Sequence, residues 1–458
     1  MGKFLVLLII NLALYSICPQ SMDRGYMLIA FIIAALSIIL FLRERDYASI
    51  KKIYLRHSTL FVFILFVVFY QRDIDYLIGL LDGTESKIWI SSTIVARSLI
   101  ISNIAINCFF VGYIYEKKNI KQVAVINNHR IYPKKQYLCI FAYALFGLFL
   151  FLVDKSFLIG GYQGGQLDKA YQIIVIMQSI ILATVVLYCI EYKECNSKQK
   201  ISYFFRYPFF LIIVYSGIVV LSGRRTEALR VLCILIICLI YLKGVKMNFK
   251  KLGLAGLLFV FVFALVGVLR GDSNNGLSAG MSALSEKTSI SPVTAELAGS
   301  VNTLHIAVYS VPDEMPYNMG LSFVPSFALL VPGLDRLISF YIPSSLMISS
   351  PEIITYLYWG SDDRPYGLGS SIIADVYISF GLMGVMAVFS LLGILFRYLE
   401  INTFLRSSSP YILALSFCVF SQIIYASRTG VSVLFLSWTY ACLMIYLITR
   451  KNGKIVKQ

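Results

Sequence analysis

Long apolar runs separated by short polar stretches set the plan of this chain. About 20 mostly apolar residues cross the hydrocarbon of a bilayer. Runs near that length fall at roughly 3–18, 26–42, 58–71, 88–115, 137–153, 171–190, 207–222, 226–242, 252–269, 372–396, 409–426 and 431–449. The pattern predicts an all-α polytopic membrane protein of about 12 transmembrane helices, with residues 1–458 forming a single transmembrane domain. The first run carries Lys3 as a basic flank, as a signal peptide would. However, Ser16-Ile17-Cys18-Pro19-Gln20 has no small-residue cleavage pattern, and further runs follow, so this run reads as a retained helix.

One connection is unlike the rest. Between the ninth and tenth runs, residues 270–371 leave the apolar pattern for far longer than an ordinary loop, and such connections usually carry function. Within it, the stretch from Leu321 to Ile342 is apolar but holds Pro325, Pro332, Asp335 and Arg336. This content predicts short helices at the interface or against the bundle, rather than a thirteenth span.

Composition agrees with the pattern, and charge orients it. Hydrophobic residues make up 58% of the chain and charged residues 14%, far from a soluble domain's balance. The net charge of +16 suggests nucleic acid at first sight, but the basic residues sit between apolar runs and not on one folded face. With the N-terminus, alternate loops and C-terminus placed in the cytoplasm, that side receives 26 of the 40 Lys and Arg, against 12 on the opposite side. That asymmetry is the positive-inside signal. It places both termini in the cytoplasm and residues 270–371 outside. Eight of the nine cysteines lie in apolar runs and Cys195 in a cytoplasmic loop, so neither a disulfide framework nor a thiolate metal site is expected. No inverted repeat, P-loop, dinucleotide fingerprint, zinc spacing or nucleophile elbow is visible.

Candidate chemistry gathers at the outer helix ends. Ser222-Gly223-Arg224-Arg225-Thr226-Glu227 forms a tight turn between spans seven and eight, with Arg230 one turn further in. Arg270 ends span nine, and Arg428 occupies the short turn Ser427-Arg428-Thr429-Gly430. Each arginine has a plain alternative as an interfacial snorkel or a salt-bridge partner. Together, Arg224, Arg225, Arg270 and Arg428 suit a phosphate-bearing lipid headgroup, because guanidinium forks match phosphate oxygens. The candidate acids and bases are Glu296, His305 and Asp375. Asp375 lies just inside span ten, where it is also a plausible partner for the helix dipole. His305 is the one histidine on the outer side and reads equally as a hydrogen-bonded core residue. Asp73, Asp75, Asp362 and Asp363 are weak candidates for a divalent metal, and no metal site is expected.

At these residues the sequence resembles the O-antigen polymerase (Wzy) family of bacterial inner-membrane glycosyltransferases. The likeness rests on about twelve spans with one large late loop, on the Gly223-Arg224-Arg225 turn, and on Ala295-Glu296-Leu297 running on to Val311-Pro312. It also rests on Gly367-Leu368-Gly369-Ser370-Ser371-Ile372-Ile373-Ala374-Asp375 with Phe380-Gly381 behind it. One departure is Asp375, where the family would more often place Glu.

The resemblance implies a GT-C-like polymerase-ligase architecture whose large loop, 270–371, is periplasmic. It further implies a metal-independent glycosyltransferase that uses no cofactor and no nucleotide sugar. Its donor and acceptor would both be undecaprenyl-pyrophosphate-linked oligosaccharides, joined at the periplasmic face of the inner membrane. On that reading Glu296, Asp375 and His305 are the catalytic candidates, and the four arginines bind pyrophosphate. Membrane lipid, a chain-length regulator (polysaccharide co-polymerase) and a flippase are the implied partners, and nucleic acid is not. Two alternatives stay open: an O-antigen ligase, and a flippase or exporter of the same lipid-linked sugars. The intramembrane Arg97 favours the flippase.

Overall fold

The computed structural model describes residues 1–19, 23–44, 55–80, 92–115, 135–152, 168–194, 200–221, 225–243, 294, 297–328, 334–341, 348–360, 367–405 and 409–450. Among the described residues the chain is helical and has no strand. Eleven of the twelve predicted runs coincide with helices, and the ninth, 252–269, lies outside the described residues. The first eight helices are α1 (Gly2–Ser16), α2 (Arg24–Glu44), α3 (His57–Leu77), α4 (Ser92–Tyr115), α5 (Lys135–Leu152), α6 (Asp168–Glu194), α7 (Arg206–Leu221) and α8 (Arg225–Lys243). Among the described residues of the long connection, the helices of eight residues or more are α9 (Val301–Ser310), α10 (Leu334–Tyr341) and α11 (Ser350–Trp359). The chain closes with α12 (Ile372–Phe404), α13 (Pro410–Ala426) and α14 (Trp438–Arg450). Five helical stretches are long and apolar enough to cross a membrane: Arg24–Glu44, Ile94–Tyr115, Ile174–Lys193, Ile372–Phe404 and Ser432–Arg450. These apolar helices fit a membrane protein.

The helices bury two apolar clusters. One joins α1, α2, α3, α4, α9 and α12 around Phe61, Phe109, Phe389 and Phe396. The other joins α5, α6, α7, α8 and α14 around Ile180, Leu187, Tyr215 and Ile237. Helix α13 serves both: Val419, Ile423 and Ala426 pack in the first cluster, and Leu413, Phe417 and Phe420 in the second.

The tightest contact in the first cluster lies between α4 and α12. A Cβ added at Gly112 would sit 1.9 Å from the Ser390 carbonyl oxygen, and one added at Gly393 would sit 2.2 Å from that of Phe109. Small residues let membrane helices approach backbone to backbone, which replaces the hydrophobic drive that lipid removes. Polar side chains extend the grip. Asn103 of α4 accepts from the Tyr70 hydroxyl at 2.6 Å and donates to the Ala30 carbonyl at 3.0 Å, which ties α2, α3 and α4 together.

Two features depart from the expected boundaries. Helix α12 runs to Phe404, eight residues past the predicted end of span ten. Arg397, expected in a cytoplasmic loop, is therefore inside a helix and only 1% exposed. The extension holds because its polar side chains have buried partners. The Glu400 carboxylate accepts the Ser58 N–H at 2.8 Å and the Tyr113 hydroxyl, while Arg397 donates to Tyr113 at 3.1 Å. The last predicted span is also divided: a 3-10 turn at Ser432–Phe435 precedes α14. The stretch Leu321–Ile342 forms short helical pieces, Leu321–Phe323, Val324–Ala328 and α10, in keeping with its prolines.

The glycine contact sets a stability test. Gly112→Ala and Gly393→Ala should each lower the melting temperature of the solubilised protein, at a cost of about 1–3 kcal/mol from overpacking. Gly147→Ala, where an added Cβ meets nothing within 4 Å, should be neutral or slightly stabilising. Equal melting temperatures for all three would mean that α4 and α12 do not cross at these glycines.

Candidate functional site

The candidate site lies where the start of α12 meets the turn after α13. Ser371 caps α12, its side chain accepting the Ala374 N–H at 3.4 Å. Before it, Gly369 adopts a φ of 78°, a left-handed conformation that glycine takes without strain. That bend lets the segment pair with the turn through the backbone. The Ser370 N–H donates to the Arg428 carbonyl and the Ile372 N–H to the Ser427 carbonyl, each at 3.3 Å.

Asp375 completes the joint. Its Oδ2 accepts the Val431 N–H at 3.1 Å, and the Ser350 hydroxyl makes a further hydrogen bond to the carboxylate. Gly430 is pressed against it: an added Cβ there would lie 2.4 Å from Oδ2. Asp375 therefore does not act simply as a charge beside its own helix's first turn, because its carboxylate reaches across to a neighbouring turn. It is 2% exposed and lines a cavity of about 180 Å³ with Ser349, Ser350, Pro351, Tyr425, Thr429 and Gly430 among the walls.

The cavity's second wall is α11. The sequence Ser349-Ser350-Pro351-Glu352 is a capping box, and Glu352 accepts from both the Ser349 N–H and its hydroxyl. Thr355 of the same helix accepts the Leu368 N–H at 3.1 Å, which fixes the Gly367–Ser371 segment to α11. Behind the lining residue Tyr425 stands α8. The Arg230 guanidinium carbon lies 3.6 Å from the ring centroid of Tyr425, and Arg230 is 2% exposed. Such a stacked cation is held by the ring's quadrupole where water is excluded.

Arg428 connects this corner to α9. Its Nε donates to the Ser300 hydroxyl at 3.2 Å, directly before α9 begins. Helix α9 packs on α12, α4, α11 and α3, and His305 on it is fully buried and does not line the cavity. Burial, and then the Arg72 guanidinium, push its pKa down to about 3. Gln71, next to Arg72, accepts the Thr294 hydroxyl at 2.6 Å, so the end of α3 and the approach to α9 are joined as well.

Of the residues singled out from sequence, the structure thus joins Asp375 and Arg428 through one turn and leaves His305 apart in the core. Glu296, Arg224 and Arg270 lie outside the described residues; Arg225 opens α8, with its side chain outside the description. Asp73 and Asp75 are both buried, and two residues apart on a helix they take different faces. Among the described residues, no three His, Cys, Asp or Glu side chains come together as metal ligands would. Ser349, Ser350, Tyr425, Thr429 and Gly430 were not singled out from sequence. The capping box at Ser349–Glu352 was the available signal for the first two.

His305 gives a pH test of this geometry. The unfolded imidazole titrates near 6.5, whereas the folded one stays neutral down to about 3. Its share of stability is therefore complete above pH 6.5 and is lost as pH falls towards 3, by about 1.4 kcal/mol per pH unit. Between pH 6.5 and 4.5, His305→Gln should lose less stability than the wild type in thermal melts. Identical pH slopes would show that His305 is solvated.

Neither a curated protein nor a solved structure matches the chain. The profile of the family described as O-antigen polysaccharide polymerase Wzy matches residues 3–452. With nearly its whole length covered, and with a buried carboxylate and an arginine turn joined at one end of an apolar helical bundle, the chain belongs to the O-antigen polysaccharide polymerase Wzy family.

Proposed function

We propose that this chain polymerises undecaprenyl-pyrophosphate-linked oligosaccharide repeat units at the periplasmic face of the inner membrane. The growing glycan moves from its carrier onto a new lipid-linked repeat. The observation that carries this reading is the cavity at Asp375. It sets a buried carboxylate beside the turn that bears Arg428, at the end of the bundle where the long connection folds.

The chemistry divides between these groups. A base must take the proton of the acceptor hydroxyl as that oxygen attacks the anomeric carbon. Asp375 is the described carboxylate placed for this step, because it lines a cavity and is oriented by the Val431 N–H. Glu296, four residues before Ser300, is the second candidate. His305 is less suited, because it lies away from the cavity and holds a proton poorly. As the glycosidic bond breaks, charge grows on the pyrophosphate leaving group. Arg428, with Arg224, Arg225 and Arg270, would neutralise that charge, and preorganised donors of this kind supply much of an enzyme's rate. The bilayer holds both substrates in two dimensions and orients them.

Purified protein given lipid-linked repeat units alone should yield a ladder of longer lipid-linked glycans. A ligase would need a separate core acceptor, and a flippase would form no bond. In that assay Asp375→Asn should remove the ladder at normal protein abundance. Arg428→Ala should lower the rate by about 10²–10³, the usual cost of removing one charge-stabilising donor. Arg428→Lys should leave a remainder, since Lys keeps the charge but loses the planar fork. Full polymerisation by the Lys variant would overturn the pyrophosphate role of this arginine. The ladder should also survive EDTA; loss of activity with rescue by Mg²⁺ would make the enzyme metal-dependent and return Asp73 and Asp75 to consideration as ligands.

A further inference from the structure

Every described position of α4 from Ile94 to Phe110 is buried except Arg97, which is exposed. Along this stretch of α4 a guanidinium is the one exposed side chain. Counted from Ser92, Arg97 lies about 7.5 Å along the helix axis, within the apolar part of the chain. Among the described residues, no carboxylate lies within ion-pair distance of it.

The surroundings of Arg97 are aromatic and phenolic. Its guanidinium carbon lies 5.3 Å from the Tyr15 ring centroid on α1. Tyr377 of α12 is within electrostatic reach of Arg97, and Tyr317 meets Tyr377 edge to face at 6.4 Å. These rings are held in place. Gly381 breaks the α12 helix with a φ of 63°, and the N–H groups of Asn318 and Met319 donate to the Ile378 and Ser379 carbonyls beside the break, each at 3.1 Å. Tyr317 packs on Gly381 so closely that an added Cβ would lie 2.9 Å from its ring. A guanidinium over the Tyr15 ring, with the Tyr377 phenol within electrostatic reach, offers a fork and hydroxyl donors, groups from which phosphate oxygens accept.

The position relative to Asp375 decides which phosphate. Asp375 and Tyr377 are two residues apart on α12 and so take different faces. Asp375 faces the cavity beside the Arg428 turn. The first turns of α12 therefore carry Asp375 towards the Arg428 turn and Tyr377 on a different face, within electrostatic reach of Arg97. We propose that the exposed Arg97 binds the pyrophosphate headgroup of the lipid-linked acceptor, while the donor's pyrophosphate lies on the Arg428 side. This rests on the polymerase reading above. Two pyrophosphates repel each other, and separate sites keep them apart while both glycans reach one carboxylate.

The chemistry then separates the two sites. The acceptor hydroxyl oxygen forms the new bond to the donor's anomeric carbon, and its proton passes to Asp375. The donor's bond to pyrophosphate breaks, and its carrier departs with the electron pair. The acceptor's own sugar–pyrophosphate bond stays intact, so no charge develops at Arg97 during the reaction. Arg97 should therefore govern acceptor binding, and Arg428 the chemical step.

The test uses the full chain in phosphatidylcholine nanodiscs. The donor is a fluorescent lipid-linked polymer capped at its non-reducing end so that it cannot accept, and a single lipid-linked repeat is titrated as acceptor. Arg97→Gln should raise the half-saturating acceptor concentration about 10- to 100-fold, the usual worth of a hydrogen bond to a charged group. The maximal rate and the donor's half-saturation should stay within threefold, which also shows that the variant is folded. Arg97→Lys should fall between. An unchanged acceptor half-saturation, or a loss confined to the maximal rate, would overturn the assignment.

The same discs are then made with phosphatidylglycerol. If wild-type activity depends on that lipid, and Arg97→Gln removes the dependence without moving acceptor half-saturation, Arg97 holds a phospholipid headgroup and the acceptor assignment falls. Binding of sugar-free undecaprenyl pyrophosphate is measured alongside. Binding that needs Arg97, in a wild type that makes no ladder, would support the phosphate site and overturn the polymerase reading. A wild-type ladder with Arg97→Gln indistinguishable from it would sink the Arg97 site alone.

Discussion

The backbone contact between α4 and α12 is the constraint on which the rest depends. Gly112 and Gly393 bring two helices together at a distance that no side chain tolerates, so neither helix can turn about its axis without a clash. Below the glycines, Glu400 locks the pair to α3. One of its oxygens takes the Ser58 N–H, in the first turn of α3, and the other takes the Tyr113 hydroxyl. A buried carboxylate is costly unless such partners surround it. Here the partners come from two other helices, so the cost is offset only when all three are correctly placed. Packing and polar satisfaction thus select the same arrangement.

With its far half fixed, α12 can afford an irregular start. The break at Gly381 frees carbonyls in the helix, and the Asn318–Met319 backbone takes up those of Ile378 and Ser379. Non-helical backbone at membrane depth is tolerated where protein re-satisfies it. The break therefore ties the long connection to the bundle and sets the direction of residues 372–380. Asp375 sits on that short piece and is aimed by it at the turn after α13. Helix α13 packs in both apolar clusters, so Arg428, just past its end, stands at the seam between them. A site at a seam can take a large substrate without opening either core.

Much of this was legible in the sequence, and the exceptions have physical causes. Apolar runs give helices because the bilayer requires internal backbone hydrogen bonding, so the positions of eleven helices could be read directly. Asp375 and Arg428 were readable because a charge next to an apolar run is conspicuous. The same logic misled at Arg397 and Glu400, which look like loop charges but are buried, because their partners Ser58 and Tyr113 lie hundreds of positions away in the chain. The burial of His305 could not be read from the sequence, since packing of its helix against its neighbours is a tertiary property. The cavity walls at Ser349, Tyr425 and Thr429 are small or aromatic residues with no distinctive spacing, and only the fold brings them together.

The distribution of charge carries the synthesis one step further. At the Glu400 end, the carboxylate is closed in by hydrogen bonds from Ser58 and Tyr113 and is wholly buried, as befits a fixed joint. At the Asp375 end, the carboxylate is held by hydrogen bonds yet opens on a cavity, and Arg428 beside it is only partly buried. Both ends use the same device, an acid on α12 that accepts a backbone N–H from a neighbouring segment. The difference lies in what remains around the acid once that bond is made. Where aromatic and aliphatic side chains close over it, the acid can only hold helices together. Where glycine and serine line the space, as Gly430, Ser349 and Ser350 do, room is left beside it. One helix thus carries an anchoring carboxylate and one that opens on a cavity, and the small residues beside the second leave that space free.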